Sequence, residues 1–306
     1  MKIHENTINN YLKYCITQKR LDEKTIKAYR IDLTQFSNKT NNIALEQINV
    51  DILEDYISFL NNCYKPKTVK RKLASIKAFF HYLEYKDIII FNPFNKMVTQ
   101  FREPVILPKV IPLHTIEHFL STIYKQLNEA DTSYKRKNAL RDVAAAEILF
   151  STGIRISELC SLKPQDINLS TGTILIYGKG DKERRITIGN NQVLQILNQY
   201  KKTYHSEINM CHHFFANQSG KPLNDQAVRR MINKYCSLAS IDLHITPHMF
   251  RHTFATSLLE ADVDIRYIQE MLGHSSINVT QIYTHVTTAK QREILINKHP
   301  RKDFKF

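Results

Sequence analysis

Arg155, Lys179, His248, Arg251, His274 and Tyr283 follow one another through the second half of a 306-residue chain. Each type has a chemical capacity: a guanidinium can pair with negative charge, an imidazole or an amine can carry a proton, and a phenol can serve as a nucleophile once deprotonated. Local sequence gives several of them a defined setting. Ala139 to Phe150 is an apolar helix ended by Gly153, and the next helix starts near Ile156. Arg155 therefore sits where free backbone amides and the helix dipole favour an anion. Lys179 lies between Gly178 and Gly180 at a hairpin tip, and those glycines let the tip approach a ligand closely. Thr246-Pro247 opens another helix, Thr as N-cap and Pro at the first position, which puts His248 and Arg251 on one face of its first turn. A helix over Asp264–Leu272 stops at Gly273, His274 follows at once, and Tyr283 comes nine residues later.

Taken singly, each position has a plainer explanation. An arginine can cap a structural helix, a hairpin lysine is usually just solvated, and one tyrosine among 15 has no claim on catalysis. A metal reading competes at His248 and His252, whose i, i+4 spacing could grip zinc. Against it, there is no HExxH glutamate, Pro247 keeps His244 off the helix, and no cysteine pair is near. The reading without metal is preferred. No Walker loop and no carboxylate cluster for magnesium is present either, so neither a metal nor a nucleotide cofactor is expected.

The elements that must position these groups can be read from periodicity. Four amphipathic helices occupy residues 1–90: Thr7–Gln18, one from about Asp22, Val50–Asn61 and Lys67–Tyr85. In the second, Ile26, Tyr29, Ile31, Leu33 and Phe36 fall broadly on one side. The last carries Lys67, Lys70, Arg71, Lys72 and Lys77 opposite its apolar stripe, with no acid until Glu84. A solvated charged face is the ordinary account of such a surface; here the density of cations favours contact with a phosphate backbone. Pro93, Pro104, Pro108 and Pro112 keep helix out of the next stretch, which predicts an extended linker over residues 91–112. A mostly helical domain over 113–306 follows. It contains a sheet-like insert of Ile167–Leu169, Thr173–Tyr177 and Arg184–Ile188, with Ile174, Ile176, Ile186 and Ile188 marking one buried face.

Composition narrows the partner. Lys and Arg outnumber Asp and Glu by 43 to 29, a net charge of +14 that favours a polyanion. No run approaches the roughly 18 apolar residues of a membrane span, and the N-terminus has no signal-peptide core. Five scattered cysteines suggest neither a disulfide framework nor a zinc site, so a reduced cytoplasmic setting is expected.

The six residues, in the segments TGIRISELCSL, GKGDKERR, PHMFRHTFAT, LGHSS and YTHV, resemble the active-site series of the tyrosine recombinase (phage integrase) family. KTIKAYRIDLTQF, KTVKRKLASIKAFFHYL and the ending His299-Pro300-Arg301 are similar to Xer-type members, so the resemblance spans nearly the whole chain. It implies a mainly α fold: an N-terminal SAM-like helical core-binding domain, and an α+β catalytic domain with a small three-stranded antiparallel sheet. It also implies strand cleavage through a 3′-phosphotyrosyl intermediate on Tyr283. Arg155, Arg251 and His274 would stabilise the phosphate, His248 would act as base, and Lys179 would protonate the leaving 5′-oxygen. Family architecture implies double-stranded DNA with paired half-sites, held by four protomers or by this chain with a related recombinase. The C-terminal tail would dock on a neighbour, and Ile294, Leu295 and Ile296 form an apolar cluster suited to that. Two alternatives stay open: relaxation by a type IB topoisomerase, and a DNA-binding regulator that keeps the fold without the reaction.

Overall fold

Capping chemistry fixes where the N-terminal helices begin. The computed structural model describes residues 5–41, 43–97, 109–178 and 183–273. Helix α1 spans Glu5–Thr17. Helix α2, Glu23–Lys39, starts where the Asp22 carboxylate accepts a hydrogen bond from Thr25 N at 2.8 Å. Helix α3, Val50–Cys63, starts where Asn49 does the same for Ile52 N at 3.0 Å, and α4, Pro66–Tyr85, has proline at its first position. The apolar stripes meet in one core that includes Leu12, Leu33, Phe36, Leu53, Leu60, Ile76, Phe79 and Phe80. Phe36 meets Tyr56 and Phe80 edge-on, the arrangement favoured by the ring quadrupoles. Ile31 departs from the expectation and is 55% exposed. It lies two residues from both Tyr29 and Leu33, a step of about 200° on a 3.6-residue helix, which turns it away from the core.

The chain divides into two compact units, Met1–Val105 and Ile106–Phe306. Of the proline-rich stretch, Pro93–Lys96 is a single 3₁₀ turn, Pro112 caps the next helix, and residues 98–108 lie outside the described residues.

In the second unit, α5 (Leu113–Asn128) leads to α6 (Ser133–Thr152), then the short α7 (Ile156–Ser161). The sheet follows: β1 (Ile167–Asn168), β2 (Thr173–Tyr177) and β3 (Glu183–Thr187), antiparallel in the order β1-β2-β3. Helices α8 (Asn191–Thr203), α9 (His205–Cys211), α10 (Asp225–Leu238), α11 (Pro247–Glu260) and α12 (Ile265–Leu272) complete the described chain. Helix α6 is buried on nearly every side from Ala139 to Leu149, and α5, α7, α8 and α11 all pack against it. Burial on nearly every side puts α6 at the centre of this unit, and it carries the segment that delivers Arg155. The sheet register pairs Ile174 with Ile186 and Ile176 with Arg184. The isoleucines are buried as their alternation predicts. The fold is thus mainly helical with a small three-stranded antiparallel sheet.

Candidate active site

Two left-handed glycines set the site's backbone. Helix α6 ends at Gly153 with φ +60°, and α12 ends at Gly273 with φ +64°. A Cβ on Gly153 would lie 2.6 Å from the Phe254 ring and 3.2 Å from Leu272, so only glycine lets α11 and α12 close on the end of α6. Two residues on, Arg155 is the N-cap of α7.

Arg251, 4% exposed, reaches across this junction. Its Nη1 donates to Gly153 O at 2.9 Å, and its Nη2 donates to Leu272 O. Carbonyls at helix C-termini have no intrahelical partner and carry the negative end of the dipole, so they hold a buried guanidinium well. The result brings Arg251 beside the turn that carries Arg155, although the two are far apart in sequence.

Arg155 is held by Glu158. The Arg155 backbone N–H donates to Glu158 Oε2 at 2.7 Å, and Nη1 donates to Oε1 at 2.8 Å. The same carboxylate takes a second guanidinium: Arg184 Nη1 and Nη2 donate to Oε1 and Oε2 at 3.0 and 2.8 Å. Arg184 Nε also donates to Met271 O at 2.7 Å. Burial alone would push Glu158 up, but hydrogen bonds from Arg184 and the Arg155 backbone, with the charges of both arginines, outweigh it and hold the carboxyl below its ordinary range. Sequence reading missed both Glu158 and Arg184. A glutamate three residues after an N-cap, and an arginine sharing the inward face of β3 with Ile186, were the signals that could have found them.

His248 is exposed on the first turn of α11, and His252 is half-buried one turn further along. Burial first, then the charges of His248 and Arg251, push His252 down to about 4. Thr246 occupies the N-cap position as expected, but its hydroxyl makes no capping bond to the helix. Among the described residues, no three His, Cys, Asp or Glu side chains form a group that could hold a metal ion. Lys179, His274 and Tyr283 lie outside the described residues, as does the Ile294–Ile296 cluster.

The basic surface of α4 needs one correction. Lys67, Lys70, Arg71 and Lys77 are exposed, but Lys72 is only 5% exposed. It sits one turn from Val69 and Ile76 on the core stripe, and its Nζ donates to Asp32 Oδ1 at 3.0 Å and Gln35 Oε1 at 2.6 Å. Asp32 is fully buried on α2 and also accepts from Arg71 Nη2 at 2.9 Å and Ser75 Oγ at 3.1 Å. Lys72 is therefore a structural counter-ion. Arg71 remains partly exposed, with its guanidinium aimed by Asp32.

No described helix is long and apolar enough to cross a membrane. Two family models match the chain. One, described as the phage integrase family, matches residues 119–290; the other, the phage integrase N-terminal SAM-like domain, matches residues 8–86. A protein of Agathobacter rectalis named "Tyrosine recombinase" is 69% identical over 299 residues, covering 98% of this chain and 98% of that protein. Tyrosine recombinase XerD of Listeria innocua serovar 6a is 36% identical, covering 96% of this chain and 98% of its own length. The fold is similar to that in a crystal structure of XerH site-specific recombinase bound to palindromic difH substrate, a post-cleavage complex. The TM-score is 0.76 at 24% identity, with 95% of this chain and 83% of that one covered.

Proposed function

This chain belongs to the phage integrase family of tyrosine recombinases, and from that membership we propose that it is a site-specific DNA recombinase with Tyr283 as nucleophile. The observation that carries this reading is the convergence of Arg251 on the Arg155 turn through Gly153 O. A phosphodiester transition state concentrates charge on its non-bridging oxygens. Two guanidiniums held in place beforehand meet that charge without reorganising at the moment of reaction. Arg155 offers the more accessible group, with its side chain 36% exposed.

The Tyr283 oxygen attacks phosphorus, the 3′-phosphate becomes linked to the phenol, and the 5′-oxygen leaves with a proton from Lys179. His248 takes the phenol proton, and His274 adds a hydrogen bond to the phosphate. The bond energy stays in the phosphotyrosyl linkage, so a 5′-hydroxyl from another duplex can reverse the step without ATP. Lys67, Lys70, Arg71 and Lys77 contact the DNA backbone, and four protomers in the cytoplasm join two sites of paired half-sites, as copies of this chain or with a related recombinase. The matches give no support to the topoisomerase reading.

The test traps the adduct. Full-length protein is incubated with fragmented genomic DNA, covalent complexes are recovered under denaturing conditions, and the cut ends are sequenced. Wild type is expected to mark a small set of sites and to exchange strands between them, whereas Tyr283→Phe binds the same DNA and forms no adduct. An adduct that persists in Tyr283→Phe places the nucleophile elsewhere, and relaxation with no exchanged product supports the topoisomerase.

A further inference from the structure

We propose that Arg184 is a positioning residue, whose charge neutralises Glu158 so that Arg155 remains a net cation for the scissile phosphate. The inference rests on the recombinase reading above and deepens it.

Two guanidiniums share one carboxylate, but unequally. Arg184 meets Glu158 with both terminal nitrogens, the paired geometry that suits a planar carboxylate, and its Nε is taken by Met271 O. Its side chain is 7% exposed, so Arg184 is committed within the protein. Arg155 gives Glu158 a single guanidinium hydrogen bond, through Nη1, and keeps its side chain 36% exposed. The carboxylate's charge is matched by the buried arginine, and the accessible arginine is left in excess.

Without Arg184 the balance changes. Glu158, with its side chain 6% exposed, would have one cation left, and attraction between charges poorly screened by water would draw Arg155 into the vacated fork. Arg155 would then be a neutralised ion pair, with its donors turned from the phosphate. The defect would come from the carboxylate, not from loss of a contact to DNA. Removing the carboxylate as well should therefore restore activity, a sign opposite to that of two independent structural losses.

The variants are R184Q, R184K and R184Q/E158Q in the full chain, each with its melting temperature measured. A glutamine at 158 keeps an oxygen that can accept from the Arg155 N–H. Single-turnover cleavage of the mapped site is read at saturating DNA. R184Q should slow cleavage on the order of 10²-fold, the scale of losing one preorganised donor. The double variant should cleave at least about tenfold faster than R184Q, because it recovers the wild-type charge balance. R184K, which keeps the charge without the fork, should fall between R184Q and wild type. A double variant that folds and cleaves no faster than R184Q overturns the inference. Should R184Q alone fail to fold, a folded double variant with no cleavage overturns it equally. These outcomes are separate from failure of the recombinase reading, in which wild type itself would form no adduct.

Discussion

Arg184 on β3 and Arg251 on α11 hold consecutive carbonyls at the end of α12, Met271 O and Leu272 O. Two cations from different elements thus fix the last turn before Gly273, and the chain continues from there into His274. A Cβ on Gly273 would lie 3.0 Å from both Cδ and Nη1 of Arg184, at a φ of +64° that side chains disfavour.

Gly273→Ala should consequently lower stability by roughly 1–2 kcal/mol through backbone strain, while displacing Arg184 from the carbonyl it holds. Cleavage at 25 °C should fall by more than the melting shift accounts for. A lowered melting temperature with unchanged single-turnover cleavage would show that the end of α12 does not position the reaction.

Lys179→Ala should slow cleavage of ordinary DNA by roughly 10²–10⁴-fold, the contribution of a positioned general acid. A substrate with sulfur at the 5′-bridging position separates that role from phosphate anchoring, since a thiol of pKa about 8.5 leaves without protonation. The sulfur substrate should restore most of the rate to Lys179→Ala and much less to Arg155→Ala. Equal defects of Lys179→Ala on both substrates would leave Lys179 as a DNA contact.

The two kinds of lysine on α4 should part company. Lys77→Ala is expected to leave stability nearly unchanged and to reduce the slope of log affinity against log salt by about 0.9, one phosphate contact. Lys72→Met should leave the slope unchanged but destabilise the protein by up to about 3–5 kcal/mol, because it removes a buried partner of Asp32. A reduced salt slope in a folded Lys72→Met protein would return Lys72 to the DNA surface.

His252 gives a pH dependence with a definite sign. Its pKa is pushed from 6.5 to about 4 in the folded protein, so between those values the unfolded chain binds more protons. Stability from this group is therefore complete above pH 6.5, declines as pH falls toward 4, and changes no further below. Denaturant midpoints across that window should decline less steeply in His252→Gln than in wild type. Parallel declines would mean that other groups carry the acid sensitivity.

Much of the scaffold is local and could be read from residues alone. Asp22, Asn49 and Pro66 start helices by chemistry that acts within one turn, and Gly153 and Gly273 end helices because the left-handed conformation suits glycine. The strand alternation of Ile174, Ile176 and Ile186 fixed which face is buried. The helix starts that carry Arg155, His248 and Arg251 were equally legible. Periodicity said less about charge. It assigns a residue to a face, and both Ile31 and Lys72 show how a broad stripe blurs that assignment by one position. What only the tertiary structure decided is who neutralises whom. Glu158 meets Arg184 because the register of β3 against β2 brings an inward arginine to the start of α7. Arg251 finds Gly153 O and Leu272 O because α6 and α12 end at the same place. Those pairings join residues far apart in sequence, and their strength depends on desolvation that exists only once the helices have packed.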